Sequence, residues 1–153
     1  MHSSHRLAIV AAVMLAIAFP GASAHAATAT YTCPLALGDK AGEELPAGWW
    51  RGERHGSPVE AQYATPGQLS EIWVVAGHRG EEEAEAPAIL VPDEPDGGWD
   101  LSGETGGVLI VCIYGKTNDY YATSLPAGIV SCLASGEYND KTCTLSDGRV
   151  TCK

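Results

Sequence analysis

The sequence predicts an all-β domain, a small antiparallel sandwich or barrel-like meander, disulfide-bonded and following a cleaved leader. Three observations predict it. Val108-Leu109-Ile110-Val111-Cys112-Ile113-Tyr114 is a short apolar run, four of its residues β-branched, set between Gly107 and Gly115. Such a run reads as a strand buried on both faces and not as a helix segment. Gly, Pro, Asn and Asp punctuate the remaining chain at short intervals, and past the leader no stretch keeps a 3.6-residue apolar period. All five cysteines lie between Cys33 and Cys152, as expected of an exported domain that staples a modest core.

In chain order, residues 1–24 read as a secretory signal peptide. His2, His5 and Arg6 form a weakly basic head, Leu7 to Phe19 an apolar run, and Pro20-Gly21 a break before the small residues Ala22-Ser23-Ala24. The apolar run is short for a membrane span. Residues 25–153 then form a single β-rich domain, expected to be soluble and periplasmic. The leader holds only Arg6 among the charged residues, so 8 Lys+Arg face 19 Asp+Glu, a formal charge of −11. That excess repels nucleic acid and anionic membrane surfaces and favours a cationic protein partner.

Ala29 to Cys33 alternates around Tyr31 and stops at Cys33-Pro34; residues 35–48 are loop-like and lead to Trp49-Trp50. Val59 to Tyr63 is a weak strand and Leu69 to Val75 a stronger one, followed by an exposed acidic loop from Gly77 to Pro87. Ala88 to Val91 is a short strand ended by Pro92-Asp93, and Asp96-Gly97-Gly98 turns the chain into Trp99-Asp100-Leu101. After the central run come strands at Tyr120 to Ser124 and Ile129 to Leu133, with Leu125-Pro126-Ala127-Gly128 as the turn between them.

At the C-terminus, Asp147-Gly148 is a two-residue hairpin signal between 143–146 and 149–152. That register sets Cys143 opposite Cys152 at a non-hydrogen-bonded position, where the Cα separation of about 4.5 Å is at the short end for a disulfide. Cys143–Cys152 is thus one geometrically reasonable bridge.

Several marks now stand in order: Cys33-Pro34, Gly48-Trp49, Leu90-Val91-Pro92-Asp93, Trp99-Asp100-Leu101, Cys112-Ile113-Tyr114-Gly115, Leu125-Pro126, Cys132 and Cys152. From Cys33 to Cys152 the chain resembles a family of small exported proteobacterial proteins long without an assigned function. Some members resemble periplasmic immunity proteins of type VI secretion effectors. The resemblance implies a periplasmic β-rich domain that protects the producing cell by occluding the active site of a peptidoglycan-targeting effector. It also implies the pairs Cys33–Cys112 and Cys132–Cys152, with Cys143 an addition, against the bridge drawn from the hairpin.

The residues suggest no enzyme. His55 and His78 sit in loop-like Arg54-His55-Gly56-Ser57 and Gly77-His78-Arg79-Gly80, and nothing resembles a nucleophile elbow or a zinc-binding helix motif. Asp93-Glu94-Pro95-Asp96-Gly97 lacks the alternating ligands of a calcium loop, and the cysteines lack Cys-x-x-Cys spacing. No cofactor is expected. For partner binding the best stretch is Glu81-Glu82-Glu83-Ala84-Glu85, either a solvated loop or an acidic prong that plugs a basic cleft. Trp73 and Trp99 read as core. Of Trp49 and Trp50, strand alternation buries one and exposes the other, so Trp50 is a candidate anchor. Ser135-Gly136-Glu137-Tyr138 comes one residue short of the Ser-Gly-x-x-Tyr loop of bacterial lysozyme inhibitors, which makes Tyr138 a candidate contact and lysozyme an alternative target. A structural or envelope-stress role is the remaining alternative.

Overall fold

The β-branched and aromatic runs form the strands, and glycines and prolines end them. In the computed structural model the described residues are 28–39, 44–55, 65–83, 87–93, 98–139 and 144–153. Among them the elements are β1 (Ala29–Thr32), β2 (Trp49–Glu53), β3 (Leu69–Ala76), a 3₁₀ turn (Glu81–Glu83), β4 (Ile89–Leu90) and β5 (Gly98–Asp100). They continue with β6 (Val108–Tyr114), β7 (Asp119–Ser124), β8 (Ser131–Ala134), β9 (Tyr138–Asn139), β10 (Thr144–Leu145) and β11 (Arg149–Cys152). Antiparallel pairing builds a five-stranded sheet, β2-β7-β6-β3-β4, a four-stranded sheet, β1-β11-β8-β5, and a β9-β10 ribbon. Of the all-β alternatives predicted from the sequence, antiparallel sandwich or barrel-like meander, the two packed antiparallel sheets are the sandwich.

β6 is the axis of the larger sheet, and all seven of its residues are buried. Its even-numbered residues Ile110, Cys112 and Tyr114 join Val74 and Tyr121 against Trp99, Cys132, Val150 and Cys152 of the smaller sheet. Its odd-numbered residues Leu109, Val111 and Ile113 pack with Val75, Tyr120 and Ala122 on the opposite face. Period-two alternation thus separates two apolar clusters on one strand. Tyr114 and Tyr121 meet edge to face with ring centroids 5.4 Å apart. The Tyr114 hydroxyl donates to the Pro34 carbonyl at 2.8 Å, and the Tyr121 hydroxyl accepts from the Gly38 amide at 3.0 Å. Neither phenol is left without a partner in the core.

Two disulfides lock this arrangement. Cys33–Cys112 ties the end of the first strand to the central strand across 79 residues, with a Cα separation of 5.7 Å. Cys132–Cys152 bridges directly paired residues of β8 and β11. These are the pairs that the resemblance implies. Cys143 lies outside the described residues, as does the strand expected from Val59 to Tyr63.

The hairpin around Asp147-Gly148 does not form. β11 pairs with β1 and β8, while Thr144–Leu145 pairs with Tyr138–Asn139. The reason is local. The Cys33 amide donates to the Gly148 carbonyl at 2.8 Å, and a β-carbon on Gly148 would strike the Cys33 carbonyl oxygen. Close passage of the first strand therefore explains this glycine, which does not take the positive φ that a two-residue hairpin turn demands.

Candidate partner-binding surface

Strand register writes two rows across the outward face of the larger sheet. Trp50, Ala122, Val111 and Trp73 stand side by side on β2, β7, β6 and β3, and Gly52, Tyr120, Ile113 and Glu71 form the next row. Gly52 has no side chain, and the Tyr120 ring lies over it so closely that a β-carbon there would collide with the phenol. The Tyr120 hydroxyl is thereby aimed at the 3₁₀ turn that covers this face.

That turn is fastened by Glu82, only 1% exposed. Its Oε1 accepts from Trp50 Nε1 at 2.9 Å and lies 3.0 Å from the Tyr120 hydroxyl, and its Oε2 accepts from the Gly80 amide at 2.6 Å. Glu83 Oε1 also lies 2.9 Å from the Tyr120 hydroxyl, whose single proton serves one carboxylate at a time. Burial first, and then the two carboxylates, hold Tyr120 ionisation far above its ordinary range. Arg79 lies over the Trp50 ring at 4.8 Å and Arg54 over the Trp73 ring at 4.9 Å. Trp73 Nε1 donates to Glu71 Oε2 at 2.7 Å. Desolvation lowers the Arg54 pKa, and Glu71 and Tyr120 partly oppose the shift. A buried carboxylate with several donors and stacked guanidinium groups nearby tolerates its loss of water.

For Glu82 and Glu83 this geometry corrects the expectation of an exposed acidic stretch, whether solvated loop or prong. Glu82 points inward as a clamp, Glu83 is half-buried against Tyr120, and Glu81 is exposed, its Oε2 accepting the His78 amide at 3.1 Å. Glu85 lies outside the described residues. Nor does alternation expose one tryptophan of the pair. Trp49 packs against the inter-sheet core and Trp50 beneath Arg79, both half-buried. Trp99 is core as expected, whereas Trp73 lies half-buried on the outward face. Tyr138 opens β9, paired with Leu145. The preceding Ser135-Gly136 is a packed turn, with Ser135 Oγ 3.2 Å from Asp147 Oδ2 and Gly136 at a φ of 119°.

At the β6 entrance, three loops enclose a cavity of about 420 Å³ that the sequence did not announce. Its walls are Gly77-His78, the segment from Leu101 to Gly107, and the turn from Ser124 to Ile129. Leu101, Val108 and Leu109 are its buried apolar lining, with Glu104 exposed beside them. Backbone bonds fix the walls: the Gly77 amide donates to the Gly107 carbonyl at 2.7 Å and the Leu125 amide to the Val108 carbonyl at 2.8 Å. The Glu82 clamp holds the far end of the same β3-turn segment. The recess is therefore preformed, and of the size that ligand and side-chain pockets take.

Among the described residues no group of three or more His, Cys, Asp or Glu residues is placed to hold a metal ion. No helix of the described residues is long and apolar enough to cross a membrane.

The family model described as type VI secretion system Tli immunity protein matches residues 64–153, more than half of the chain. The matched region runs from β3 to β11 and includes the Glu82 turn, Tyr120, the three cavity walls and the Cys132–Cys152 bridge. No curated protein and no solved structure matches the chain.

Proposed function

The chain belongs to the type VI secretion system Tli immunity protein family, and from that premise we propose that it binds a secreted effector directly and blocks the effector's active site after export to the periplasm. The family match carries the immunity role. Export rests on the leader-like residues 1–24 and on two disulfides, which persist in an oxidising compartment. A cationic effector is favoured by the charge of −11 on residues 25–153. The finer reading, that the effector attacks peptidoglycan, rests on the sequence resemblance alone.

Binding by occlusion suits this architecture. Disulfides and the Glu82 clamp hold the contact loops before the partner arrives, so little ordering entropy remains to be lost on association. The test uses purified residues 25–153 and a secreted candidate effector sought among the genes that flank the one for this chain. Calorimetry should give a 1:1 complex in the nanomolar range typical of tight inhibitory pairs. Isolated sacculi and phospholipid vesicles, offered as substrates, then identify the effector's target. Inhibition of sacculus digestion supports the peptidoglycan reading, and inhibition confined to vesicle hydrolysis replaces it. A 1:1 mixture that neither associates nor loses effector activity would refute the proposal.

A further inference from the structure

We propose that the cavity at the β6 entrance is the socket for a lysine or arginine side chain projecting from the effector, an inference that rests on the immunity reading above and locates its contact. The lining fits an amphipathic cation. Half-buried Leu125 and Ile129 offer apolar surface to an aliphatic stem, over a floor closed by buried Leu101 and Val108. Glu104 stands exposed beside it to meet a charged head. Long cationic side chains bury their stems and keep the head at a polar rim. No lysine or arginine is among the described lining residues, and the basic side chain there is that of His78. An anionic group would find no counter-charge and would face the acidic excess of the chain.

The walls are also preformed. Backbone bonds from Gly77 to Gly107 and from Leu125 to Val108 join all three loops at the base. A β-carbon on Gly107 would run into the His78 imidazole, so the wall at His78 is seated closely on its neighbour. A socket of fixed shape lets one inserted side chain act as an anchor, the pattern in which a few central residues dominate an interface.

The experiment measures affinity for the effector that binds wild-type protein. Four variants are compared: Glu104→Gln, Glu104→Lys, Ala127→Trp, which places an indole at the rim, and Glu53→Lys. Glu53 is exposed at the other end of β2, beside Asp119 and away from the Ser124 end of β7. It repeats the charge change of Glu104→Lys without touching the cavity. Thermal melts first confirm that each variant folds. Glu104→Lys and Ala127→Trp should weaken binding by about tenfold or more, Glu104→Gln by about threefold, and Glu53→Lys by less than about twofold. The losses should appear at both low and high salt, since a seated cation is only partly screened.

If wild type binds and the cavity variants stay within about twofold of it, the socket is overturned and the immunity reading stands. Equal losses for Glu53→Lys and Glu104→Lys overturn it as well, because they indicate long-range attraction without a seated contact. Selective loss with Ala127→Trp but not with either Glu104 variant assigns the cavity an apolar occupant and overturns the cationic one. Failure of wild-type protein to bind removes the immunity reading and the socket together.

Discussion

Replacing Glu82 with alanine should destabilise this protein far more than replacing its exposed neighbour Glu81. The carboxylate accepts from the Trp50 indole at 2.9 Å and the Gly80 amide at 2.6 Å, and shares the Tyr120 hydroxyl with Glu83. On its removal Tyr120 retains Glu83 and the exposed Gly80 amide turns to water, but the half-buried indole N–H loses its partner. Bonds to charged groups contribute about 1.5–3 kcal/mol each, and an orphaned buried donor costs about 1–3 kcal/mol. The cost of burying the carboxylate offsets part of this. The net expectation for Glu82→Ala is about 2–4 kcal/mol, and for Glu82→Gln, which keeps an acceptor oxygen, about 1–2 kcal/mol. Urea unfolding followed by tryptophan fluorescence reads the difference directly. With a slope of about 2 kcal/mol per molar, the midpoint for Glu82→Ala should fall by about 1–2 M. Glu81→Ala should stay within about 0.5 kcal/mol of wild type. A Glu82→Ala midpoint indistinguishable from wild type, or a larger loss for Glu81→Ala, would refute the clamp.

Further expectations concern the staples, the glycine and the phenol. Serine replacement of the Cys33–Cys112 pair, which closes 79 residues, should cost about 4.5 kcal/mol, against about 3.3 kcal/mol for the Cys132–Cys152 pair and its 20 residues, by loop entropy; denaturant melts of the two double variants check the order. Gly52→Ala forces Tyr120 off its site and should lower stability by about 1–3 kcal/mol through overpacking, with a matching loss of thermal midpoint. Tyr120 ionises far above its ordinary value near 10 in the fold, so the folded state holds this proton more tightly than the unfolded chain does. Its contribution is intact below pH 10 and declines as pH rises beyond it, at up to about 1.4 kcal/mol per pH unit. Tyr31 is shifted in the same direction by burial, so Tyr120→Phe should reduce the alkaline slope without abolishing it, as unfolding at pH 9 to 11 would show.

The period-two pattern made the architecture legible. The run from Val108 to Tyr114 named the central strand because burial on both faces leaves no polar position in it. The C-terminal register was not legible. Asp147-Gly148 carries a hairpin signature, yet the glycine answers to Cys33, a residue far away in sequence. Such close approach leaves no local trace. Glu82 was hidden for a related reason: its carboxylate is selected from a run of glutamates by Trp50 and Tyr120, which lie 32 and 38 residues away. The signal that could have found it is Gly52 in β2, a strand residue without a side chain that leaves room for an aromatic ring from the strand beside it. The cavity drew on three separate segments; the loop from Gly77 and the turn from Leu125 to Gly128 were readable but silent about their neighbours, and the Leu101 to Gly107 wall carried no reading of its own. The chain's charge was visible throughout, but which carboxylates stand exposed beside a recess was not: Glu82 of the glutamate run turns inward, and Glu104 lies at the cavity.

The most direct test of the central claim is survival of a susceptible bacterium that exports the effector bound by residues 25–153 to its own periplasm, with and without residues 1–153. The account predicts that the full chain restores growth and that a version lacking residues 1–24 does not, although both accumulate. Lysis at the same rate with the full chain present and accumulated in the periplasm would contradict it.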